Sequence, residues 1–431
     1  MDSLNACKDC RMNTSHHGFS QRDWLALSLL PSIGAKRLAS LWTYLSAWSS
    51  SEEEEASLFD TLNSNDDSEL EAAARSVDAQ VLRALGWSEH VAKSAERYLK
   101  YRTLPYDLEE RLNQTERWLS EADQSIVFRD EATYPTLLKQ IAVPPLFLFV
   151  KGSIEAWQQP CIGVVGARNA SGYGRKLAQE WSERLASGGY AVCSGGAKGI
   201  DAYAHQGALA ARGNTVVVMG TGLLNWYPRQ NYALFERIIE HGGALVSEYP
   251  LTTHPKPNLF PPRNRIISGM SHGVLVVEAS EKSGSLISAR YALEENREVF
   301  AIPGRVGDPQ SSGTNHLIRQ GATLVRSTDD MLEELPREAR KTTASQETVR
   351  VSPPDTAVSQ LISPMPQSEG LSAPASSLLQ LFWQERIGLD FDALIRKTGM
   401  GASDLAQTLM ELELSGQVVN AQGHYQYAPT T

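Results

Sequence analysis

The sequence predicts an α/β protein: a Rossmann-like parallel-sheet core domain, an N-terminal helical (helix-hairpin-helix or SAM-like) domain and a C-terminal winged-helix domain. Three observations lead to this fold class. Short β-branched runs alternate with amphipathic stretches over residues 126–335, the preceding hundred residues have apolar positions at helical spacing, and a proline-rich stretch isolates the last fifty residues. A chain of 431 residues, 42% hydrophobic and 21% charged, is long enough for about two to four domains with large cores.

Residues 1–18 are polar and show no periodicity, so we expect a disordered N-terminal tail. Within it, Cys7 and Cys10 form a C-x-x-C pattern with His16 and His17 shortly after, which is the donor set of a zinc site. The aperiodic surroundings favour the tail over the metal site. We therefore predict no metal and no cofactor.

Residues 19–120 carry apolar side chains three and four apart, which predicts a helical domain. Leu30-Pro31-Ser32-Ile33-Gly34-Ala35-Lys36-Arg37-Leu38 has the form of a helix-hairpin-helix turn. In such a turn the second helix presents N–H groups and Lys36 or Arg37 to a phosphate. A plain helical hairpin with a capping glycine explains the same residues, and the sequence leaves both interpretations open.

The central segment, 126–335, alternates strands and helices. The predicted strands are Cys161–Gly166, Ala191–Ser194, Thr215–Gly220, Ala244–Ser247, Val274–Glu278, Val299–Pro303 and Thr323–Val325. The main predicted helices are Gly174–Ala186, Ala202–Ala211, Asn231–Glu240 and Leu286–Glu295. Strand, helix, strand at this cadence indicates a parallel sheet covered on both faces. A ligand is then expected beyond the carboxyl ends of the strands.

Residues 336–376 contain six prolines among polar residues and predict a flexible linker. Residues 377–431 predict three short helices and a two-strand ending, the outline of a winged helix. The expected recognition helix, 403–414, carries three acids and no base, which suits a phosphate-lined groove poorly. We expect this domain to bind protein, or DNA only weakly.

Three polar loops follow predicted strands and open helices, a place that favours phosphate groups. The first holds Arg168 and Ser171, and the third holds Ser283, Gly284 and Ser285. The second supplies Ser194, Gly195, Gly196, Lys198 and Gly199. The dipeptide Gly-Lys is absent, so the chain has no Walker A motif and the sequence argues against an NTP-hydrolysing motor.

A basic helix start, Phe260-Pro261-Pro262-Arg263-Asn264-Arg265, precedes the strand that ends at Glu278. Residues two apart on a helix point to nearly opposite sides, so one arginine anchors the helix and the other faces the cleft. Glu278 is either a general base or the partner of one of these arginines, and we favour the ion pair. Asp201 is assigned a structural, ion-pairing role as well.

Gly269-Met270-Ser271-His272-Gly273 matches the G-x-S-x-G of serine hydrolases. A helical pattern precedes it and a strand follows, which is the reverse of a nucleophile elbow. We treat the match as chance.

The net charge of −10 argues against a nucleic-acid partner only at first sight. Residues 161–335 hold 17 basic and 16 acidic side chains, so the remaining residues carry −11. The acidity therefore belongs to the flanks and leaves the central cleft open to DNA. No apolar run has the length of a signal peptide or a membrane span, and four cysteines give no disulfide framework. We expect a cytoplasmic protein.

Many motifs in order resemble the DNA-processing protein A family (DprA, also called Smf). They cover residues 134–335 and are Tyr134-Pro135, Pro144-Pro145-Leu146-Phe147, Val165-Gly166-Ala167-Arg168, Ser194 to Asp201 with His205, Tyr227-Pro228, Phe260 to Arg265, Glu278-Ala279, Ser283 to Leu286 and Pro303-Gly304. The flanking helical and winged-helix domains match the layout of the family more loosely.

The resemblance implies a non-catalytic protein of natural transformation that binds and protects incoming single-stranded DNA and helps load the recombinase RecA onto it. It implies a homodimer, with single-strand-binding protein as a further candidate partner. Carried over by position, Arg168, Ser194–Gly199 and Arg263–Arg265 are the expected DNA contacts, with Lys198 the least secure. Tyr173 or Tyr227 is placed to stack on a base or to pack at the sheet end.

Two other functions stay open. The same superfamily includes nucleotide phosphoribohydrolases with the signature P-G-G-x-G-T-x-x-E, but the corresponding loop here lacks the double glycine and the glutamate. Alternatively, the winged helix reads DNA and the Rossmann-like part is a scaffold.

Overall fold

The computed structural model describes residues 15–56, 77–336, 339, 372–385, 389–421 and 424–427. The chain divides into two compact units, 1–343 and 344–431. The predicted α/β fold class is confirmed, with a mostly parallel central sheet and a C-terminal winged-helix domain.

The first unit opens with a short hairpin, β1 (Ser15–His16) and β2 (Phe19–Ser20). Residues 15–18 are therefore ordered, which corrects the end of the predicted tail; residues 1–14, with both cysteines of the C-x-x-C, lie outside the described residues. The His16 ring stacks on Phe128 at 3.9 Å and bonds to Asp130 at 2.9 Å. These partners are more than a hundred residues away, so no local pattern signals them.

Among the described residues, five helices follow the hairpin: Gln21–Leu29, Ala35–Ala56, Ala79–Ala84, Glu89–Tyr101 and Tyr106–Leu119. Ser20 begins the first of them with a capping box, because its hydroxyl accepts from Asp23 N while the Asp23 carboxylate accepts from Ser20 N. The apolar faces of these helices and one face of the central sheet form one continuous core. The helical segment and the Rossmann-like segment thus belong to a single compact unit.

Among the described residues, the central sheet has nine strands: β3 (Gln124–Phe128), β4 (Phe147–Gly152), β5 (Cys161–Val165), β6 (Ala191–Ser194), β7 (Thr215–Val218), β8 (Ala244–Ser247), β9 (Gly273–Val276), β10 (Glu298–Ala301) and β11 (Thr323–Leu324). Their order across the sheet is β11-β10-β9-β5-β6-β7-β8-β4-β3. The last seven in the chain, β5 to β11, are the seven predicted strands. They run parallel to one another. The chain order reverses direction across the β5–β9 pair, and a crevice opens there beyond the strand ends.

Two further strands, β3 (Gln124–Phe128) and β4 (Phe147–Gly152), extend the sheet as antiparallel partners beside β8. They were not among the predicted strands, because their connection contains only the four-residue helix Thr136–Lys139 and gives no β-α-β cadence. Both carry side chains of the core shared with the N-terminal helices, such as the ring of Phe149, whose centroid lies 6.1 Å from that of Trp118.

Helices cover both faces of the sheet, and their buried residues fall into separate apolar clusters. They are Gly172–Ser187, Ile200–Ala210, Tyr232–Glu240, Phe260–Met270, Ser285–Glu294, Ser312–Arg319 and Thr328–Glu334. The five parallel strands β5 to β9 are buried along their whole length, which explains why they read as continuous apolar runs.

The second unit contains the helices Ala373–Glu385, Phe391–Thr398 and Ala402–Leu414 and a sheet of β12 (Leu389–Asp390), β14 (His424–Tyr427) and β13 (Val418–Ala421). Its first helix begins before the predicted start of the domain at 377. Ser372 accepts from Ala375 N at 3.3 Å, and Pro374 occupies the first turn, where its missing N–H costs no hydrogen bond. Most of the predicted linker and the predicted turn at 422–423 lie outside the described residues.

Across the part of the chain that the structure describes, no helix combines the length and apolar character needed to cross a bilayer.

Candidate nucleic-acid site

A cavity of about 490 Å³ lies beyond the carboxyl ends of β5 and β9. Its walls come from the loop after β5, the start of the helix Phe260–Met270, and the start of the helix Ser285–Glu294. Six of the predicted DNA contacts line it, namely Arg168, Arg263, Asn264, Ser283, Gly284 and Ser285. The predicted structural residue Asp201 also reaches the cavity.

The loop after β5 is held tightly by its neighbours. Ala167 N donates to Glu278 O at 2.8 Å, and Ile200 N donates to Ala167 O at 3.2 Å. Gly199, at φ +75°, lies so close that a Cβ there would be 2.3 Å from Ala167 O. The Arg168 side chain is exposed at the mouth of the cavity, where its full charge is available to an anion.

Phe260 forms an aromatic shelf close to two arginines. The Cζ atoms of Arg168 and Arg263 lie 5.8 and 5.9 Å from the centre of its ring, and the half-exposed Tyr227 ring is 5.5 Å away. Sequence reasoning named Tyr227 as a stacking candidate and left Phe260 out of the contact residues. The available signal was an aromatic residue at the N-terminus of a helix that also carries cavity arginines.

Arg263 is a buried cation that ties the cavity floor together. Its guanidinium donates to Gly195 O at 2.9 Å and to Val218 O, and only 4% of the residue is exposed. Burial lowers the pKa of Arg263, and the nearby Asp201 carboxyl opposes that shift. Burial likewise raises the pKa of Asp201, which accepts from Ala197 N at 3.3 Å. Arg263 therefore holds the ends of β6 and β7 together and places a positive charge at the floor of the cavity.

Arg265 does not line this cavity, and its expected DNA contact stays a prediction. It forms a two-pronged ion pair with Glu248, with N–O distances of 2.6 and 2.8 Å. The helical period places the two arginines on different sides of the helix, as the sequence predicted, so one lines the cavity and the other anchors the helix elsewhere.

Glu278 is not paired with an arginine among the described residues, contrary to the expected ion pair. Its carboxylate accepts from Ser171 N at 2.9 Å and from the Ser171 hydroxyl, and Ser171 in turn caps the helix Gly172–Ser187 by accepting from Gly174 N. A Cβ at Gly174 would meet that carboxylate within 2.2 Å. Ser171 and Glu278 thus hold the first loop in place and lie outside the cavity lining.

The second loop shapes the cavity from behind and contributes little surface to it. The Ser194 hydroxyl is fully buried and donates to Val164 O at 2.6 Å. Asn231 Nδ2 donates to Gly196 O and Ala197 O, at 2.9 and 3.2 Å, which fixes the loop to the segment after Tyr227. Of the predicted contacts here, the cavity lining excludes Ser194, Gly195, Gly196, Lys198 and Gly199. Lys198 is exposed outside the cavity.

The third loop brings small polar groups and a helix N-terminus to the opposite wall. The Ser283 and Ser285 hydroxyls are 2.7 Å apart, and Asn264 Nδ2 donates to Gly284 O at 3.4 Å. The helix Ser285–Glu294 starts here, so the positive end of its dipole favours negative charge at this wall.

The structure also describes the surroundings of parts of three other motifs. Ser271 of the G-x-S-x-G match is fully buried and donates to Ile267 O at 2.7 Å, with a helix before it and a strand after, so it is no nucleophile. Arg37 of the hairpin turn donates to Ser32 O in its own turn. No cluster of three metal-ligating side chains occurs within the described ranges, although residues 1–14 are outside them.

Comparison with known proteins identifies the family. A family model described as DNA recombination-mediator protein A matches residues 125–336, and a DprA winged helix domain model matches residues 363–424. Protein Smf of Escherichia coli (strain K12) is 37% identical over 349 residues, which are 81% of this chain and 87% of that protein. DNA processing protein DprA of Bacillus subtilis (strain 168) is 44% identical over 204 residues, 47% of this chain and 68% of that protein.

Two solved structures are also similar. DprA from Streptococcus pneumoniae has 35% identity and a TM-score of 0.49, covering 62% of this chain and 97% of that one. DprA from Helicobacter pylori, whose structure concerns its single-stranded DNA binding mode, has 27% identity and a TM-score of 0.45, covering 50% of this chain and 99% of that one. The family models and the E. coli relative carry the conclusion: this chain belongs to the DNA-processing protein A (DprA/Smf) family.

Proposed function

We propose that the cavity binds single-stranded DNA. The observation that carries this proposal is the Phe260 shelf, an aromatic ring close to the guanidinium groups of Arg168 and Arg263 at the mouth of a cavity with a helix N-terminus opposite. Aromatic faces that stack bases, combined with cations that neutralise phosphates, are the usual elements of a single-strand site.

The same geometry disfavours duplex DNA. Bases in a duplex are stacked on one another and paired, so none is free to lie on a ring recessed in a cavity of about 490 Å³. Within the proposed complex, Arg168 contacts a phosphate, Phe260 stacks on a base, and Asn264 with the Ser283 and Ser285 hydroxyls bonds to polar atoms of the strand. Lys198 contributes only long-range attraction, because it lies outside the cavity.

The biological role we propose is that of a recombination mediator in natural transformation: the protein protects incoming single strands and helps load RecA onto them. The supporting observation is the match to the DNA recombination-mediator protein A family over residues 125–336. We further propose, on the family resemblance, a cytoplasmic homodimer with RecA and single-strand-binding protein as partners.

We propose no catalytic step for this site. The hydrolase alternative required Glu278 as a base, but that carboxylate is 6% exposed, accepts two hydrogen bonds from Ser171 and lies outside the cavity lining. For the winged helix, we propose protein binding or weak DNA binding. The helix Ala402–Leu414 carries three acids, Asp404, Glu411 and Glu413, and no lysine or arginine that could contact a phosphate.

The test is a titration of the full chain with a labelled oligothymidylate and with a hairpin duplex of equal length. We expect tighter binding of the single strand, and weaker binding by Arg168→Ala. Arg184→Ala is the matched control, since Arg184 is an exposed arginine near the far end of the helix Gly172–Ser187. Equal affinity for both DNA forms, or an Arg168→Ala variant that binds like the control, would contradict the proposal.

A further inference from the structure

Two exposed tyrosines lie just outside the Phe260 shelf. Tyr227 is 42% exposed and Tyr232 is 36% exposed. The centre of the Tyr227 ring lies 5.5 Å from that of Phe260, which lines the proposed DNA cavity. Neither tyrosine lines the cavity itself. Tyr227 and Tyr232, which we call the outer tyrosines, therefore extend the aromatic surface beyond the mouth of the cavity.

The loop that carries the outer tyrosines is fixed to the cavity. The Tyr232 hydroxyl donates to Trp226 O at 2.8 Å, so its ring lies beside the backbone next to Tyr227. The ring of Trp226 packs edge-on against that of Tyr232, with the ring centres 5.7 Å apart. Asn231 Nδ2 donates to Ala197 O, and Ala197 lines the cavity. Because these contacts hold the loop before a ligand arrives, little ordering entropy is lost on binding.

The two chain segments that form this surface carry positive charge and no acid. Residues 221–235 contain one charged side chain, the exposed Arg229, which lies between the outer tyrosines in the chain. Residues 249–270 run beside them, since Leu224 N donates to Leu251 O at 3.1 Å. This second segment holds three lysine or arginine side chains and no acid. In a chain with a net charge of −10, such a surface favours a polyanion.

We propose that a single strand leaving the cavity continues over this surface, where its bases stack on Tyr227 and Tyr232 and Arg229 contacts a phosphate. The inference rests on the proposed function and deepens it, because it gives the strand a direction of exit and a second stacking subsite. Aromatic rings along a positively charged path bind single strands with little dependence on base identity. The whole site then holds more nucleotides than the cavity does.

The experiment compares two oligonucleotides on the full chain, by competition against a labelled single strand. Tetrathymidylate reports on the cavity, and dodecathymidylate is long enough to reach the outer tyrosines as well. Tyr232→Leu keeps an apolar side chain against Trp226 but removes the stacking face. We expect it to weaken binding of dodecathymidylate about 5- to 150-fold, as for the loss of one base–aromatic stack, and to leave binding of tetrathymidylate unchanged.

The charge is tested separately. Arg229→Ala should reduce the slope of log K against log salt by about 0.7 for dodecathymidylate, the value for one phosphate contact, and should leave the slope for tetrathymidylate unchanged. Arg184→Ala is the control for the charge. Tyr101→Leu is the control for the ring, because Tyr101 is a 60% exposed tyrosine at the end of the helix Glu89–Tyr101 and does not line the cavity.

The outcomes separate this inference from the proposed function. If both oligonucleotides bind the parent protein, three results would overturn the exit path and leave the cavity proposal intact. These are a Tyr232→Leu variant that binds dodecathymidylate like the parent, one that weakens both oligonucleotides by the same factor, and an unchanged salt slope in Arg229→Ala. If neither oligonucleotide binds the parent, the proposed function fails and this inference fails with it.

Discussion

The sharpest consequence of the proposed DNA site is that Phe260 and Arg168 contribute by different physical means. Phe260→Leu keeps an apolar side chain against Gly220 but removes the flat ring close to the two guanidinium groups. Base–aromatic stacking contributes about 1–3 kcal/mol per base, so the affinity for a single strand should fall about 5- to 150-fold. No charge is lost, and the slope of log K against log salt should therefore stay the same.

Fluorescence anisotropy with a labelled oligothymidylate, repeated at several salt concentrations, measures both quantities. Tyr203→Leu is the matched control, because Tyr203 also lies under an arginine, with Arg175 Cζ 5.8 Å from its ring centre, but is not part of the cavity lining. An oligonucleotide with abasic sites removes the stacking partner, so it should bind Phe260→Leu and the parent protein alike. If Phe260→Leu weakened the abasic strand as much as the normal one, the ring would be a packing element and the stacking argument would be refuted.

Three further outcomes are expected. Arg168→Ala should reduce the slope of log K against log salt by about 0.7, the value for one phosphate contact with a single strand, and Lys198→Ala should reduce it less. Equal reductions for the two variants would place Lys198 in the site. Ser171→Ala should lower the free energy of unfolding, measured in urea, by about 1–3 kcal/mol, because the helix Gly172–Ser187 loses its N-cap and Glu278 loses a hydrogen-bond donor. Ser171→Thr keeps the hydroxyl and should retain most of the parent's unfolding free energy. Burial lowers the pKa of His205 to about 3, so between pH 7.5 and 5 the unfolded chain binds a proton at this residue that the folded chain does not. Over this range the free energy of unfolding of the parent should fall by about 2 kcal/mol more than that of His205→Gln. Parallel plots of unfolding free energy against pH for the two proteins would contradict this.

The sequence by itself determined the parallel core and the edge at which the site lies. Continuous apolar runs and glycine-rich loops are local features, and each loop follows its strand directly in the chain. The sequence alone therefore predicted Arg168 and Ser283 at one edge of the sheet, and both line the cavity there. The family could be recognised from the same residues, since the motifs are contiguous.

Only the tertiary structure decided which of the candidate side chains reach the cavity. Glu278 accepts from Ser171, 107 residues away in the chain, and Arg265 pairs with Glu248, 17 residues away. Such partners depend on proximity in space and not on spacing along the sequence. The hairpin at His16 is another example, since His16 contacts Phe128 and Asp130, which lie more than a hundred residues later in the chain. Spacing along the sequence predicts the side of a helix or strand from which a side chain projects. The residue that it contacts there depends on how elements distant in the chain pack together, and this packing produces no pattern in the local sequence.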